Sequence, residues 1–312
     1  MGFFASIQNI FSVYILIAVG YVLTKKNILS SEFGGRMAWI VMNLTFPAYI
    51  LTALPERFSS DLLLESLGGI GISVIATIIL YPVGYAAAKL IKISKERMGT
   101  FLALFVYSNI VFIGIPVNQA LFGDGAVSYV LEYYIATTLM FWTLAVYFLQ
   151  KSSSGGKGRI GLKALLTPSL IATMAAILLV LFEVKLPNML QKPASMLGNM
   201  NTPLAILFIG MVFAEMKLSD FKITKDFWAI MSGRFLFAPA AMLLTVFFLT
   251  DFGAERGEVY ILQAAMPAMN QVTILTQYYG GDYKYSAMLT MWSFIVSMVT
   301  LPLTVSLFGY IY

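Results

Sequence analysis

The chain has 312 residues, 59% of them hydrophobic and 11% charged, with 20 Lys and Arg against 15 Asp and Glu and a formal net charge of +5. A soluble domain carries charge on about a quarter of its residues, so a mean hydropathy of +0.83 places most of this chain in lipid. The absence of Cys and His excludes disulfides, thiolate and imidazole metal sites, Cys/His nucleophilic catalysis and a histidine proton relay.

Apolar stretches of about 20 residues cross a hydrocarbon core of about 30 Å. They recur here and predict ten spans at 3–23, 34–54, 63–88, 98–119, 126–149, 163–182, 194–214, 226–249, 258–279 and 285–309. The opening Met1-Gly2-Phe3-Phe4 has no basic n-region and no small-residue cleavage site, so the first span reads as a retained helix. Span 3 carries Gly68, Gly69 and Gly71, which permit close helix approach in a homodimer or within the fold. Span 4 is interrupted from Ser108-Asn109 through Gly114-Ile115-Pro116-Val117-Asn118-Gln119. Glu132 opens span 5 beside Tyr133 and Tyr134 and reads as an interfacial residue. A Gly/Ser-rich stretch, Lys151 to Gly158, predicts a flexible linker over 151–162 that separates a five-span half, 1–150, from another, 163–312.

Span 8 holds Arg234, eight residues in from Asp226 and hence about 12 Å deep at about 1.5 Å per residue. Its stem can snorkel to the interface, or its head can form an ion pair or clamp a carboxylate. Span 9 is interrupted at Ala265-Met266-Pro267-Ala268-Met269-Asn270-Gln271. Unwound backbone at membrane depth is tolerated only where it is buried in protein or lines a cavity. Two such breaks in corresponding halves therefore point to a transport site.

Punctuation repeats between the halves at offsets of 151 to 158 residues: Pro47 with Pro203, Pro82 with Pro239, Pro116 with Pro267, and Gly123-Asp124 with Gly281-Asp282. An odd number of spans in each half makes the second repeat inverted relative to the first. Basic residues near span ends stay in the cytoplasm. One alternating set of loops holds 14 of them, in the groups Lys25 to Arg36, Lys89 to Arg97, Lys151 to Lys163 and Lys217 to Lys225. The other set holds five: Arg57, Lys185, Lys192, Arg256 and Lys284. The expectation is a multi-pass protein of the cell (inner) membrane with both termini extracytoplasmic. The sequence pI of about 9.2 then reports positive-inside bias, with no nucleic-acid partner.

The run Ser108-Asn109-Ile110-Val111-Phe112-Ile113-Gly114-Ile115-Pro116 resembles the fourth-span motif of the auxin efflux carrier family, which includes bacterial malate and malonate permeases and the plant PIN-FORMED carriers. Ala265-Met266-Pro267-Ala268 with Tyr279-Gly280 and Asp282 resembles its ninth-span motif, and Leu301-Pro302-Leu303 the close of its last span. Asn201-Thr202-Pro203-Leu204-Ala205 running to Gly210 is similar to its seventh span, and Asn43-Leu44-Thr45-Phe46-Pro47 to its second. The resemblance covers essentially the whole chain. It implies an all-α membrane protein of ten transmembrane helices in two inverted five-helix repeats, a fold shared in outline with bile acid sodium symporters. Helices 1, 2, 6 and 7 would form a scaffold, and helices 3–5 and 8–10 a transport domain whose broken helices 4 and 9 cross at the substrate. This chain lacks the long central loop of the plant carriers, which favours a prokaryotic member.

A helix N-terminus presents unpaired N–H groups and a positive dipole end, so the half-helices following Pro116 and Pro267 are expected to face a carboxylate. Candidate substrate-binding residues are Asn109, Gly114, Ile115, Pro116, Asn118, Met266, Pro267, Asn270, Gln271 and Arg234, with Asn43 and Asn201 facing them from the scaffold. Asn109 and Gln263 are candidates for a coupling cation, Na+ or H+ being the open choices, and no cofactor is expected. The alternative for each Asn is a packing hydrogen bond between helices, worth about 1 kcal/mol. The expected function is secondary transport of a small organic acid anion such as malate, malonate or an auxin-like carboxylate. The competing readings are a ligand sensor or channel on the same fold, or a sodium-coupled symporter of the bile-acid type. No catalytic constellation in the spans and no Gly-x-x-x-x-Gly-Lys-Ser/Thr loop supports an enzyme or an ATP-driven pump.

Overall fold

In this computed structural model the described residues are 15–153, 167–215 and 222–311, and all regular elements among them are helices. The start of the first predicted span, most of the Gly/Ser linker, and Lys157, Arg159, Lys163 and Lys217 lie outside the described residues. In chain order the helices are α1 (Ile15–Lys25), α2 (Glu32–Arg57), α3 (Ser60–Leu90), α4 (Lys95–Val106), α5 (Ile110–Phe122) and α6 (Asp124–Ser152). They continue with α7 (Pro168–Leu181), α8 (Asn188–Glu215), α9 (Lys225–Leu249), α10 (Ala254–Ala264), α11 (Asn270–Tyr278) and α12 (Tyr283–Gly309). Six of these, α2, α3, α6, α8, α9 and α12, are long and apolar enough to cross a membrane. Trp39, Ile78, Trp228, Phe247, Phe248 and Leu307 are exposed along them, an arrangement stable where lipid covers such side chains.

Helix starts follow local chemistry. Ser30, Ser59, Thr167 and Thr224 each accept a hydrogen bond from the backbone N–H three residues on, capping α2, α3, α7 and α9. Three of the prolines inside these helices are accommodated by wider turns. The π turns Val41–Thr45, Ile110–Gly114 and Gly233–Phe237 lie just before Pro47, Pro116 and Pro239. A proline has no N–H to give and its ring crowds the carbonyl four residues back, so one inserted residue keeps the helix going.

The chain divides into two compact units. The first comprises residues 1–68, 111–132 and 162–216, that is α1, α2, the start of α3, nearly all of α5, the start of α6, α7 and α8. Here α7 and the first half of α8 pack on the half of α2 that follows Pro47, burying Phe46, Ile50 and Leu54 completely. Helices α1 and α8 touch at backbone distance, since a Cβ on Gly20 would fall on the Leu207 carbonyl and one on Gly210 on the Ile17 carbonyl. Thr45 donates to Asn201 Oδ1 at 3.4 Å, a contact between positions 156 residues apart. Glu132 is not interfacial: it is 3% exposed and accepts a bond from Ser66 Oγ at 2.9 Å, the nearby hydroxyl giving its carboxylate a buried partner.

The second unit comprises residues 69–110, 133–161 and 217–312. Helix α4 is its centre, with every residue from Gly99 to Val106 buried. It lies so close to the end of α6 that a Cβ on Gly99 would meet the Phe148 carbonyl, and Gly233 of α9 leaves room for the Phe105 ring. Arg97 Nη2 pairs with Asp282 Oδ2 at 2.7 Å and its guanidinium lies over the Tyr285 ring. That ion pair joins the start of α4 to the start of α12. Lys284 therefore belongs with the basic Lys89 to Arg97 group and not with the sparse set in which its loop was counted.

Candidate functional site

Two breaks meet inside the second unit. Helix α4 ends at Val106 and α10 at Ala264, and the extended residues that follow pair antiparallel at Ser108 and Ala268. Asn109 N–H donates to the Pro267 carbonyl at 2.8 Å and Met269 N–H to the Tyr107 carbonyl at 3.1 Å. Ala268 N–H is taken by Ser293 Oγ of α12 at 2.9 Å. Pro267 accounts for the end of α10, because its ring would collide with the Gln263 carbonyl and it disfavours helical geometry at Met266. No Gly or Pro stands at Tyr107-Ser108-Asn109. There the chain leaves the helix because the other break supplies its hydrogen bonds.

Arg234 answers most of the remaining demand. It is fully buried, and its five hydrogen bonds all go to backbone carbonyls. Nη1 reaches Phe105 at 3.3 Å and Val106 at 2.7 Å at the end of α4, and Nη2 reaches Ala264 at 2.6 Å at the end of α10. Met266 receives both Nη2 at 2.8 Å and Nε at 3.2 Å. A guanidinium has five N–H groups, and these bonds account for them. Arg234 thus neither snorkels nor holds a donor free for a carboxylate; nearby carbonyls stripped of helical partners are the better acceptors.

Polar side chains surround the crossing. Ser108 Oγ donates to Tyr133 Oη at 3.4 Å, and Tyr107 Oη is 3.0 Å from Tyr81 Oη. Gln263 is fully buried, and among the described residues neither its amide nitrogen nor its amide oxygen has a hydrogen-bond partner. Between α11 and α12 the Thr273 hydroxyl lies 2.9 Å from that of Ser286 and 3.3 Å from that of Thr290, and the Thr276 hydroxyl 3.2 Å from that of Thr100 on α4.

The predicted residues distribute unevenly. Asn109, Met266 and Pro267 lie at the crossing, and Asn270 and Gln271 open α11 directly after it, partly exposed. Helix α5 starts at Ile110 and not after Pro116, because the π turn accommodates the proline; Gly114, Ile115, Pro116 and Asn118 accordingly lie within a helix. Asn118 Nδ2 donates to the Gly114 carbonyl at 2.8 Å, and its Oδ1 has no partner among the described residues. Asn43 donates to the Trp39 carbonyl at 2.9 Å, one turn back on its own helix. Asn201 is fully buried beside Thr45. Residues Asn43, Gly114 to Asn118 and Asn201 belong to the first unit. Sequence reasoning missed Ser293, Tyr133 and the carbonyl-binding role of Arg234. Of these only Arg234 carried a signal, as a charge deep within a span.

Broken apolar helices paired across an extended crossing, in a chain with six membrane-length helices, define a multi-pass membrane protein of transporter type. The model of the family described as Membrane transport protein matches residues 5–160 and 156–305, and the chain belongs to that family, the auxin efflux carrier family indicated by its motifs. It is similar to an uncharacterized transporter of Methanothermobacter thermautotrophicus, 26% identical over 317 residues that cover 97% of this chain and 98% of the relative. An uncharacterized transporter of Methanocaldococcus jannaschii is 24% identical over 305 residues, covering 96% of each. The family is described as one of membrane transport, and both relatives are named as transporters.

Proposed function

We propose that this chain is a secondary carrier of a small organic acid anion, of the size and charge of malate, malonate or an auxin-like carboxylate, working by alternating access. The observation that carries the reading is the paired crossing of Tyr107–Asn109 with Pro267–Met269, after which α5 and α11 begin. Helix N-termini at such a point offer N–H groups and positive dipole ends to a carboxylate. The binding site is confined in this proposal to second-unit residues: Asn109, Asn270, Gln271 and the amide of Gln263. A buried amide without partners is costly in a membrane unless a ligand or water satisfies it, which supports Gln263 as a member.

Counting α4 with α5 and α10 with α11 as single interrupted spans gives ten, a number that supports two inverted halves of five. The Thr45 to Asn201 contact, at the same offset as Pro47 from Pro203, supports the repeat. The collection of α1, α2, α7 and α8 in one unit supports a scaffold distinct from the unit that holds the crossing. The basic loops support an inner-membrane protein with both termini outside.

The test is uptake of labelled malate, malonate and indole acetate into proteoliposomes under imposed ion and voltage gradients, native chain against Asn109→Ala and Asn270→Ala. Saturable uptake with KM raised about tenfold or more in both variants, each having lost a charge-assisted hydrogen bond to the anion, is expected. Binding without flux would make the protein a sensor. Uptake indifferent to both substitutions would remove the site from the crossing.

A further inference from the structure

We propose that Arg234 is a tethered cation, filling the carbonyl cage where a mobile coupling cation would otherwise bind, so that the crossover takes an anion without a sodium ion beside it. The cage is made by four carbonyl oxygens, those of Phe105, Val106, Ala264 and Met266, drawn from the ends of two helices. Oxygen atoms converging from helix C-termini are the ligand set that hard monovalent cations use in broken-helix carriers. Here a guanidinium lies among them at 2.6 to 3.3 Å, fully buried, and among the described residues no carboxylate forms an ion pair with it.

The charge arithmetic gives the consequence. Each helix C-terminus carries roughly half a negative charge and each N-terminus roughly half a positive one. The ends of α4 and α10 together present about one negative charge, which the single charge of Arg234 cancels. The positive ends of the helices that follow the breaks are left uncompensated, a balance that admits about one negative charge. Arg234 is therefore a positioning residue, setting the sign of the site through the backbone without touching the substrate. The statement about coupling rests on the carrier reading; the occupancy of the cage does not.

The experiment uses the purified full chain and needs no transport. The native protein is expected to show equal Tm in sodium and potassium chloride at matched ionic strength and no saturable binding of radioactive sodium. Arg234→Ala is expected to lower Tm by about 5–10 °C. Low-millimolar guanidinium chloride, compared with potassium chloride, should restore roughly half of that loss or more, and saturable sodium binding should appear. Arg234→Lys keeps the charge with three donors and should fall between native and Ala without gaining sodium binding. Should Arg234→Ala not fold, the native and Lys proteins still decide. Saturable sodium binding by the native chain, or an Ala variant that guanidinium leaves unchanged, would overturn the proposal. Absence of any organic acid uptake would sink the carrier reading and leave the tethered cation standing.

Discussion

Removing one oxygen atom from α12 should loosen the crossing from 25 residues away in sequence. Ser293 Oγ accepts the N–H of Ala268 at 2.9 Å and donates to the Thr290 carbonyl at 2.6 Å, and both Ser293 and Ala268 are fully buried. In Ser293→Ala the carbonyl keeps its helical role, but the Ala268 N–H, between Pro267 and Met269, is left without a partner in a dry interior. Stranding a buried donor costs about 1–3 kcal/mol, which corresponds to about a 5- to 150-fold increase in local opening. Hydrogen exchange of peptides spanning Ala265 to Gln271 measures this directly, and the Tm of the purified protein measures its global part. Ser297→Ala is the control, because Ser297 Oγ donates only to the Phe294 carbonyl one turn back, at 2.6 Å. Its exchange at the crossing should match native. If the two variants exchange alike over Ala265 to Gln271, the serine does not hold the break and the hydrogen-bond accounting at the crossing is wrong.

Gly210→Ala sets a Cβ on the Ile17 carbonyl and 2.7 Å from the Tyr21 nitrogen, backbone atoms that cannot turn aside. A Tm loss of about 2–10 °C is expected, whereas Gly35→Ala, with nothing within 4 Å, should leave Tm unchanged or slightly raised. Arg97→Gln removes an ion pair whose side chains are 44% and 38% exposed, so its cost should be at most about 1 kcal/mol and should shrink in high salt when Tm is measured. The chain contains no Cys, so single cysteines report sidedness without background. Lys92→Cys and Lys284→Cys should react with an impermeant thiol reagent from the cytoplasmic face and Lys185→Cys from the other; labelling of Lys92→Cys and Lys284→Cys from opposite faces would contradict the Arg97 to Asp282 ion pair.

Helices and their limits were legible because hydropathy and caps act locally. Ser30, Thr167 and Thr224 mark helix starts within a few residues of the predicted span edges. The two interruptions were legible as well, the second at its proline and the first at the Ser108-Asn109 end of its predicted stretch instead of at its proline. Pro267 sits in its break, while Pro116 lies well inside α5, carried by the π turn Ile110–Gly114. A proline removes one N–H and crowds one carbonyl, and a helix can meet both demands either by widening a turn or by stopping. Which outcome prevails depends on what is available to the freed carbonyls. Near Pro47, Pro116 and Pro239 the helix meets its own demand. At Val106 and Met266 the carbonyls are held by Arg234, 128 and 32 residues away in the chain. No local signal announces such a partner, and so α4 ends at Val106 without a helix-breaking residue of its own. The position of a break at membrane depth is thus a tertiary property, fixed where a distant donor can satisfy the ends.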